Sequence, residues 1–309
     1  MLTRIQARNY RCLKQVDQSL TGFEVLVGGN GVGKSTFLDV ICLLGEIVRQ
    51  PRNGLLSALQ ARSGNFDDLL FDTSIGFFEL AVEATFPESV ANKTKLFGPD
   101  SVVRYQIKIG FTDVERTKIS ILEEQLLLRR SATTERWILS DTERQNGTIP
   151  VFDEASISEA SGFSLTHNAD ECFSSIWRRG EHSLFQYEGL AEPGKIGHSQ
   201  FNLDAKSSAL ANIPEDGLRF PVATWFRQFL SEGSLHLRLD PEKLRQPVSA
   251  VSSNGELGNE LNLPLVLTDL INASNNNASN NQFEDWINHL RIALPDLKTI
   301  RVTERPEDR

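Results

Sequence analysis

Cysteine is scarce in this chain. Cys12, Cys42 and Cys172 are the only three in 309 residues, far apart and without paired spacing. That excludes a disulfide framework or a thiolate metal cage as the source of its stability. Long apolar runs are also missing. None approaches the roughly 18 residues needed to cross a bilayer. The opening Met1-Leu2-Thr3-Arg4-Ile5-Gln6 alternates and is polar, unlike a secretion signal. A cytoplasmic protein with no membrane contact is therefore expected. Basic excess is absent too: 32 Lys and Arg against 41 Asp and Glu give a net charge of −9. Such a chain does not coat a polyanion, so any DNA would have to be met by a local basic patch. No internal repeat and no sustained heptad pattern is present. What remains is an ordinary globular composition, 39% hydrophobic and 24% charged, over a length that suits two domains or one large one.

Against this background one stretch stands out. Gly28-Gly29-Asn30-Gly31-Val32-Gly33-Lys34-Ser35, followed by Thr36, fits G-x-x-x-x-G-K-[ST], the phosphate-binding loop. Phe23–Val27 before it reads as a short buried strand, and Thr36–Leu44 after it as an apolar helix, the context such a loop needs. The chemistry follows from the residue types. Glycines let the backbone of Gly29, Asn30, Gly31, Val32 and Gly33 wrap a phosphate and aim N–H groups at it, at the positive end of a helix. Lys34 supplies a mobile charge for the β- and γ-phosphates and is the expected catalytic residue. Ser35 places a hydroxyl where Mg²⁺ sits, and Thr36 turns its own toward the α-phosphate. ATP and Mg²⁺ are the expected cofactors.

The rest of the chain reads as follows. Residues 2–9 alternate as a half-buried strand, and a second strand runs from Lys14 to Leu20. Leu55–Arg62 reads as a short helix. Phe77–Phe86, Val102–Phe111 and Lys118–Arg130 read as strands pairing antiparallel, with Glu135–Ser140 as a further one. Residues 141–218 are poorer in pattern and read as an inserted lobe, with a short helix at Lys206–Asn212. Phe220–Leu230 is an amphipathic helix, Leu235–Leu239 a strand, Pro264–Ile271 a helix, Asn272–Gln282 a loop, Phe283–Leu294 a helix and Leu297–Thr303 a last strand. The expected division is thus 1–140, 141–218 and 219–309. Asp67 and Asp68 suit a solvated helix start better than a metal site. Trp177-Arg178-Arg179 could stack on a base, but a local cation–aromatic contact is the simpler reading.

Arg8-Asn9-Tyr10-Arg11-Cys12-Leu13 resembles the N-F-R-S-L element that precedes the glycine loop in the RecF, SMC and OLD branch of ABC-type ATPases. Gly29–Thr36 resembles that branch's G-x-N-G-x-G-K-S-T. Gly64-Asn65-Phe66-Asp67-Asp68-Leu69-Leu70-Phe71 is similar to the G-x-F-x-D-L-L loop of its prokaryotic members that act beside effector proteins. Patchy likeness continues through Leu237–Pro241, Leu261–Leu267 and Phe283–Leu297. The resemblance implies an α/β fold: a P-loop NTPase with an ABC-ATPase-like head, an antiparallel β-subsheet and a mixed α/β insertion. It places Arg11, and with it Asn9, near the nucleotide; an ordinary surface arginine beside a turn is the alternative for Arg11. It further implies two heads, in a homodimer or higher oligomer, closing on ATP and parting on hydrolysis. That switch would serve anti-phage defence or DNA repair, with a nuclease or toxin as effector. The missing heptads favour the compact, OLD-like members.

Such an ATPase also needs a signature loop and an apolar strand ending in Asp-Glu. Leu230-Ser231-Glu232-Gly233-Ser234 spells the former, but a strand pattern follows it where the helix should be. Ile149-Pro150-Val151-Phe152-Asp153-Glu154 ends like the latter, but a central strand rejects Pro150. The expectation is therefore an N-terminal part of a longer ATPase: a fragment, a proteolysed product, or one half completed by a second polypeptide. A non-hydrolysing nucleotide-binding scaffold that holds an effector is the alternative. A GTPase would carry N-K-x-D, which is absent.

Overall fold

Two-residue alternation gives the central sheet one apolar face. In β1 (Leu2–Tyr10) Ile5 and Ala7 are buried on it. The series continues with Phe78, Leu80 and Val82 of β3 (Phe77–Thr85), Val103, Tyr105 and Ile107 of β4 (Val102–Phe111), and Leu126 and Leu128 of β5 (Ile119–Arg129). The registers Ile5–Val82, Val82–Tyr105 and Tyr105–Leu126 align them into rows. The opposite face is polar and tied by cross-strand pairs. Arg4 bonds Asp17 of β2 (Leu13–Ser19) at 2.6 Å, Arg104 bonds Glu83 at 2.7 Å, and Gln106 donates to Gln125 at 2.7 Å.

The structure is a computed structural model that describes residues 1–94, 101–129, 172–189, 197–233, 263–276 and 282–303. The chain forms two compact units, Met1–Ser234 and Leu235–Arg309. In the first, β6 (Cys172–Arg179), β7 (His182–Gln186) and β8 (His198–Asn202) complete an eight-stranded sheet of order β2-β1-β3-β4-β5-β6-β7-β8, antiparallel throughout. Helices complete the core. α1 (Lys34–Arg49) buries Phe37, Val40, Leu44, Ile47 and Val48, a helical stripe. Beside it run α2 (Gly54–Gln60) and, after the short α3 (Glu88–Ala91), α4 (Pro221–Ser231). A Cβ on Gly54 would lie 2.6 Å from the Ile47 carbonyl, so α2 can begin this close to α1 only with glycine. Arg49, in the last turn of α1, donates to the Ser231 carbonyl at 2.6 and 3.1 Å and satisfies the end of α4. The second unit contains α5 (Leu263–Asn276) and α6 (Gln282–Ala293), packed on each other.

Several expectations are corrected. Of the stretch 141–218, the described strands β6, β7 and β8 extend the main sheet, and Ala209 and Leu210 are buried in its core. Lys206–Asn212 is a set of tight turns rather than a helix. The fully buried pair Glu124–Arg178 explains this. Glu124 accepts from the N–H of Ala209 and Leu210 at 2.7 and 3.0 Å, from Ser208 at 2.7 Å and from Tyr105 at 2.9 Å. Arg178 donates to the carbonyls of Gly180, Asp204 and Ser207. Groups that a helix would pair internally are thus taken by buried ions, which need full partnership. The Asn-rich segment stays helical to Asn276. Leu297–Thr303 forms no strand; Arg291 binds the Leu297 and Lys298 carbonyls at 3.1 and 2.7 Å. Glu135–Ser140, Ile149–Glu154 and Leu235–Leu239 lie outside the described residues.

A second buried carboxylate sits at the start of α4. Glu188 accepts from Val222 N–H at 2.6 Å, Ala223 N–H at 3.1 Å and the Ser175 hydroxyl. Burial pushes its pKa up from 4.5 to about 7 despite these donors. The folded state therefore holds this proton more tightly than the unfolded one. The resulting stabilisation is complete below about pH 4.5 and is lost as pH rises to about 7, a span worth about 3 kcal/mol at most. Glu188→Gln, which does not titrate, should lack this component. The difference in melting temperature between the two proteins should change across that interval, and a constant difference would contradict the assignment.

Candidate nucleotide-binding site

The site begins at the turn between β1 and β2. Asn9 and Arg11 both have left-handed backbones, with φ of 58° and 49°. Asparagine tolerates this region, whereas arginine needs its surroundings to impose it. The Asn9 amide donates to the carbonyls of Phe77 at 2.7 Å and Asp72 at 3.1 Å, and accepts from Asp72 N–H at 2.6 Å. Arg11 N–H bonds Leu69 O at 2.9 Å, and Phe71 N–H bonds Asn9 O at 3.1 Å. Anchored this way, the turn presses its next two residues against the glycine loop. A Cβ at Gly33 would lie 3.0 Å from Leu13 Cδ2 and 3.1 Å from Cys12 Sγ. The Cys12 thiol donates to the Thr36 hydroxyl at 3.2 Å.

The loop has the shape its sequence predicts. Gly31 and Gly33 are left-handed, at φ 80° and 100°. At Gly33 both the backbone and the crowding require glycine; at Gly31 only the backbone does, since nothing lies within 4 Å of an added Cβ. α1 starts directly at Lys34 with Gly33 as N-cap, no capping side chain and no acidic residue in its first turn. Its first N–H groups and its dipole are thus suited to an anion. The Lys34 ammonium is at the loop's rim, donating to the carbonyls of Gly28 at 2.7 Å and Gly29 at 2.6 Å. Asn30 and Val32 are exposed at its tip, Ser35 is exposed and Thr36 half-buried. These residues fit a nucleoside triphosphate with its metal. The backbone from Gly29 to Gly33 and Lys34 would hold the phosphates, and Ser35 would hold Mg²⁺, which when bound offsets charge between the β- and γ-phosphates.

Phe23–Val27 is not the buried strand expected before the loop. It has no strand partner among the described residues, and Phe23, Val25 and Val27 are 83%, 67% and 88% exposed. β2 ends at Ser19, after which the chain leaves the antiparallel sheet. Apolar composition marks a segment able to pair; only a neighbour makes it a strand.

Beside the loop lies a charge cluster that sequence reasoning missed. Asp39 of α1 receives Arg62 on both oxygens, at 2.7 to 2.9 Å, and the Tyr10 hydroxyl at 2.6 Å. Arg62 also bonds Glu46 at 2.7 Å, and Arg11 stands 3.7 Å from Asp39. Burial first, then the neighbouring carboxylate, pushes the Tyr10 hydroxyl well above its ordinary value, so it stays a donor. The available signal was an acid one turn beyond Lys-Ser-Thr, set in the apolar run Phe37–Leu44 of α1.

Other candidates fall elsewhere. Asp67 pairs with Arg116 at 2.8 Å and Asp68 accepts from Ser63 at 2.7 Å. Arg178 is a buried structural cation, not a nucleic-acid contact. Leu230 and Ser231 close α4 instead of opening a helix, which removes the signature reading of that segment.

Glycine loop, rim lysine and uncapped helix start define a P-loop NTPase. Residues 23–260, more than half of the chain, match a family described as "AAA domain, putative AbiEii toxin, Type IV TA system". The chain belongs to this family of AAA ATPase domains. A 48-residue stretch is 46% identical to the OLD nuclease of Thermus scotoductus, covering 15% of this chain and 9% of that protein. The chain thus matches a small part of that relative's length. No helix among the described residues is long and apolar enough to cross a membrane.

Lys34→Ala should abolish binding of fluorescently labelled ATP; unchanged affinity would remove the site from this loop. Asn9→Ala loses three hydrogen bonds and strains the backbone, and should destabilise the fold by about 2–4 kcal/mol in a denaturant titration.

Proposed function

We propose that this chain is the ATP-binding part of an ABC-type ATPase head, in which nucleotide drives dimerisation of two heads and hydrolysis parts them. The observation that carries the reading is the left-handed glycine loop with Lys34 at its rim and α1 opening onto it. Closing energy would come from the higher affinity of the closed state for the triphosphate. A role in anti-phage defence or DNA repair, coupled to a nuclease or toxin effector or to DNA through a local patch, is supported by the family match and by the short likeness to an OLD nuclease.

Hydrolysis needs a carboxylate to polarise water. Asp39, the acid nearest to Lys34 along α1, is unsuited because Arg62 and Tyr10 occupy its oxygens. The engagement of Asp39 supports a second reading, a scaffold that binds ATP without turnover and holds its effector in that state.

Phosphate release and molar mass in solution test both readings. With a non-hydrolysable ATP analogue the mass should double, and with ADP it should not. Turnover together with doubling supports the switch, and doubling without turnover supports the scaffold. A mass indifferent to nucleotide, in a protein that binds it, contradicts the dimerisation reading.

A further inference from the structure

Asp39 lies three residues after Thr36 on α1, so both side chains share one helix face. Arg11 comes to that face from the β1–β2 turn, next to Cys12, whose thiol touches Thr36. Lys34, by contrast, is held at Gly28 and Gly29. The carboxylate of Asp39 is itself fixed, by Arg62 on both oxygens and by the Tyr10 hydroxyl. Arg11 meets it at 3.7 Å, beyond hydrogen-bond range, with 41% of its side chain exposed. It is therefore oriented by charge, without a hydrogen bond to Asp39. The formal charges point the same way. Asp39 and Glu46 share Arg62, leaving one negative charge that Arg11 balances. The left-handed backbone at Arg11 is held by its N–H bond to the Leu69 carbonyl at 2.9 Å, which fixes where its side chain sets out.

We infer that Asp39 is a positioning residue for the nucleotide site. Fixed by Arg62 and Tyr10, it holds Arg11 over the first turn of α1, on the Thr36 side, where the guanidinium meets the α-phosphate of a nucleoside di- or triphosphate. The inference rests on the nucleotide-binding reading above and adds a subsite to it. A cation at the α-phosphate strengthens binding of ATP and ADP alike, whereas one at the γ-phosphate would favour ATP alone.

Titrations with labelled ATP and labelled ADP test this on the wild type, Arg11→Ala, Asp39→Asn, the double variant and Lys34→Ala. Arg11→Ala should weaken both nucleotides by the same factor, about tenfold. Asp39→Asn should weaken both by about threefold, and in the Arg11→Ala background it should have no further effect. That non-additivity is the readout a merely structural role would not give. Tyr10→Phe removes only the hydroxyl on Asp39 and should show a smaller loss with the same dependence on Arg11, which serves if Asp39→Asn melts early. An Asp39→Asn loss that adds in full to that of Arg11→Ala overturns the inference, as does an Arg11→Ala loss confined to ATP, or neutral Arg11 and Asp39 variants beside a wild type that binds. A wild type that binds neither nucleotide, or a silent Lys34→Ala, overturns the underlying reading instead.

Discussion

The contact on which the site depends is the packing of Cys12 and Leu13 against Gly33. It joins an antiparallel sheet, whose strands are satisfied by one another, to a loop whose N–H groups are kept for an anion. Any side chain at Gly33 would push the two apart or force the loop from its left-handed path. The turn that makes the contact is itself costly, with two left-handed residues that are not glycine. Its cost is met by the Asn9 amide, which binds the backbone of 72–77, so that stretch is part of the site's support although it touches no phosphate. The order of dependence runs from Asn9 to the turn, from the turn to Gly33, and from Gly33 to the start of α1.

Ionisable side chains drawn out of water recur as the means by which irregular chain is fixed. Buried Glu124 with Arg178 holds the 204–210 turns, buried Glu188 holds the start of α4, and half-buried Asp39 with Arg62 ties α1 to the segment that follows α2. Each satisfies backbone or side-chain groups that regular structure leaves open. The arrangement gives a sheet-and-helix body that meets the glycine loop through Cys12 and Leu13.

Much of this was legible in the residues. The strands Phe77–Thr85, Val102–Phe111 and Ile119–Arg129 and the helix Pro221–Ser231 follow from period, because their apolar faces meet a core that the period itself announces. The site was legible where chemistry fixes spacing: glycines at the left-handed positions and Lys34 at the rim. Asp39 and Arg62 were not, since 23 residues separate them and neither spacing nor composition links two charges that meet only after α1 and α2 pack. β6 to β8 were hidden by weak alternation, with Arg178 buried beside Glu124 in a segment that reads as a surface cation–aromatic contact.

The sequence by itself determined that this is a phosphate-binding α/β protein, because a glycine loop between an apolar segment and an apolar helix works through backbone geometry that those residue types dictate locally. Only the tertiary structure decided that Asn9 serves the fold, that Arg11 stands beside Asp39, and that Phe23–Val27 has no strand partner among the described residues. Those outcomes depend on which neighbours arrive across long stretches of chain. A side chain's role in burial, charge pairing or strand formation is a property of the partner as much as of the residue.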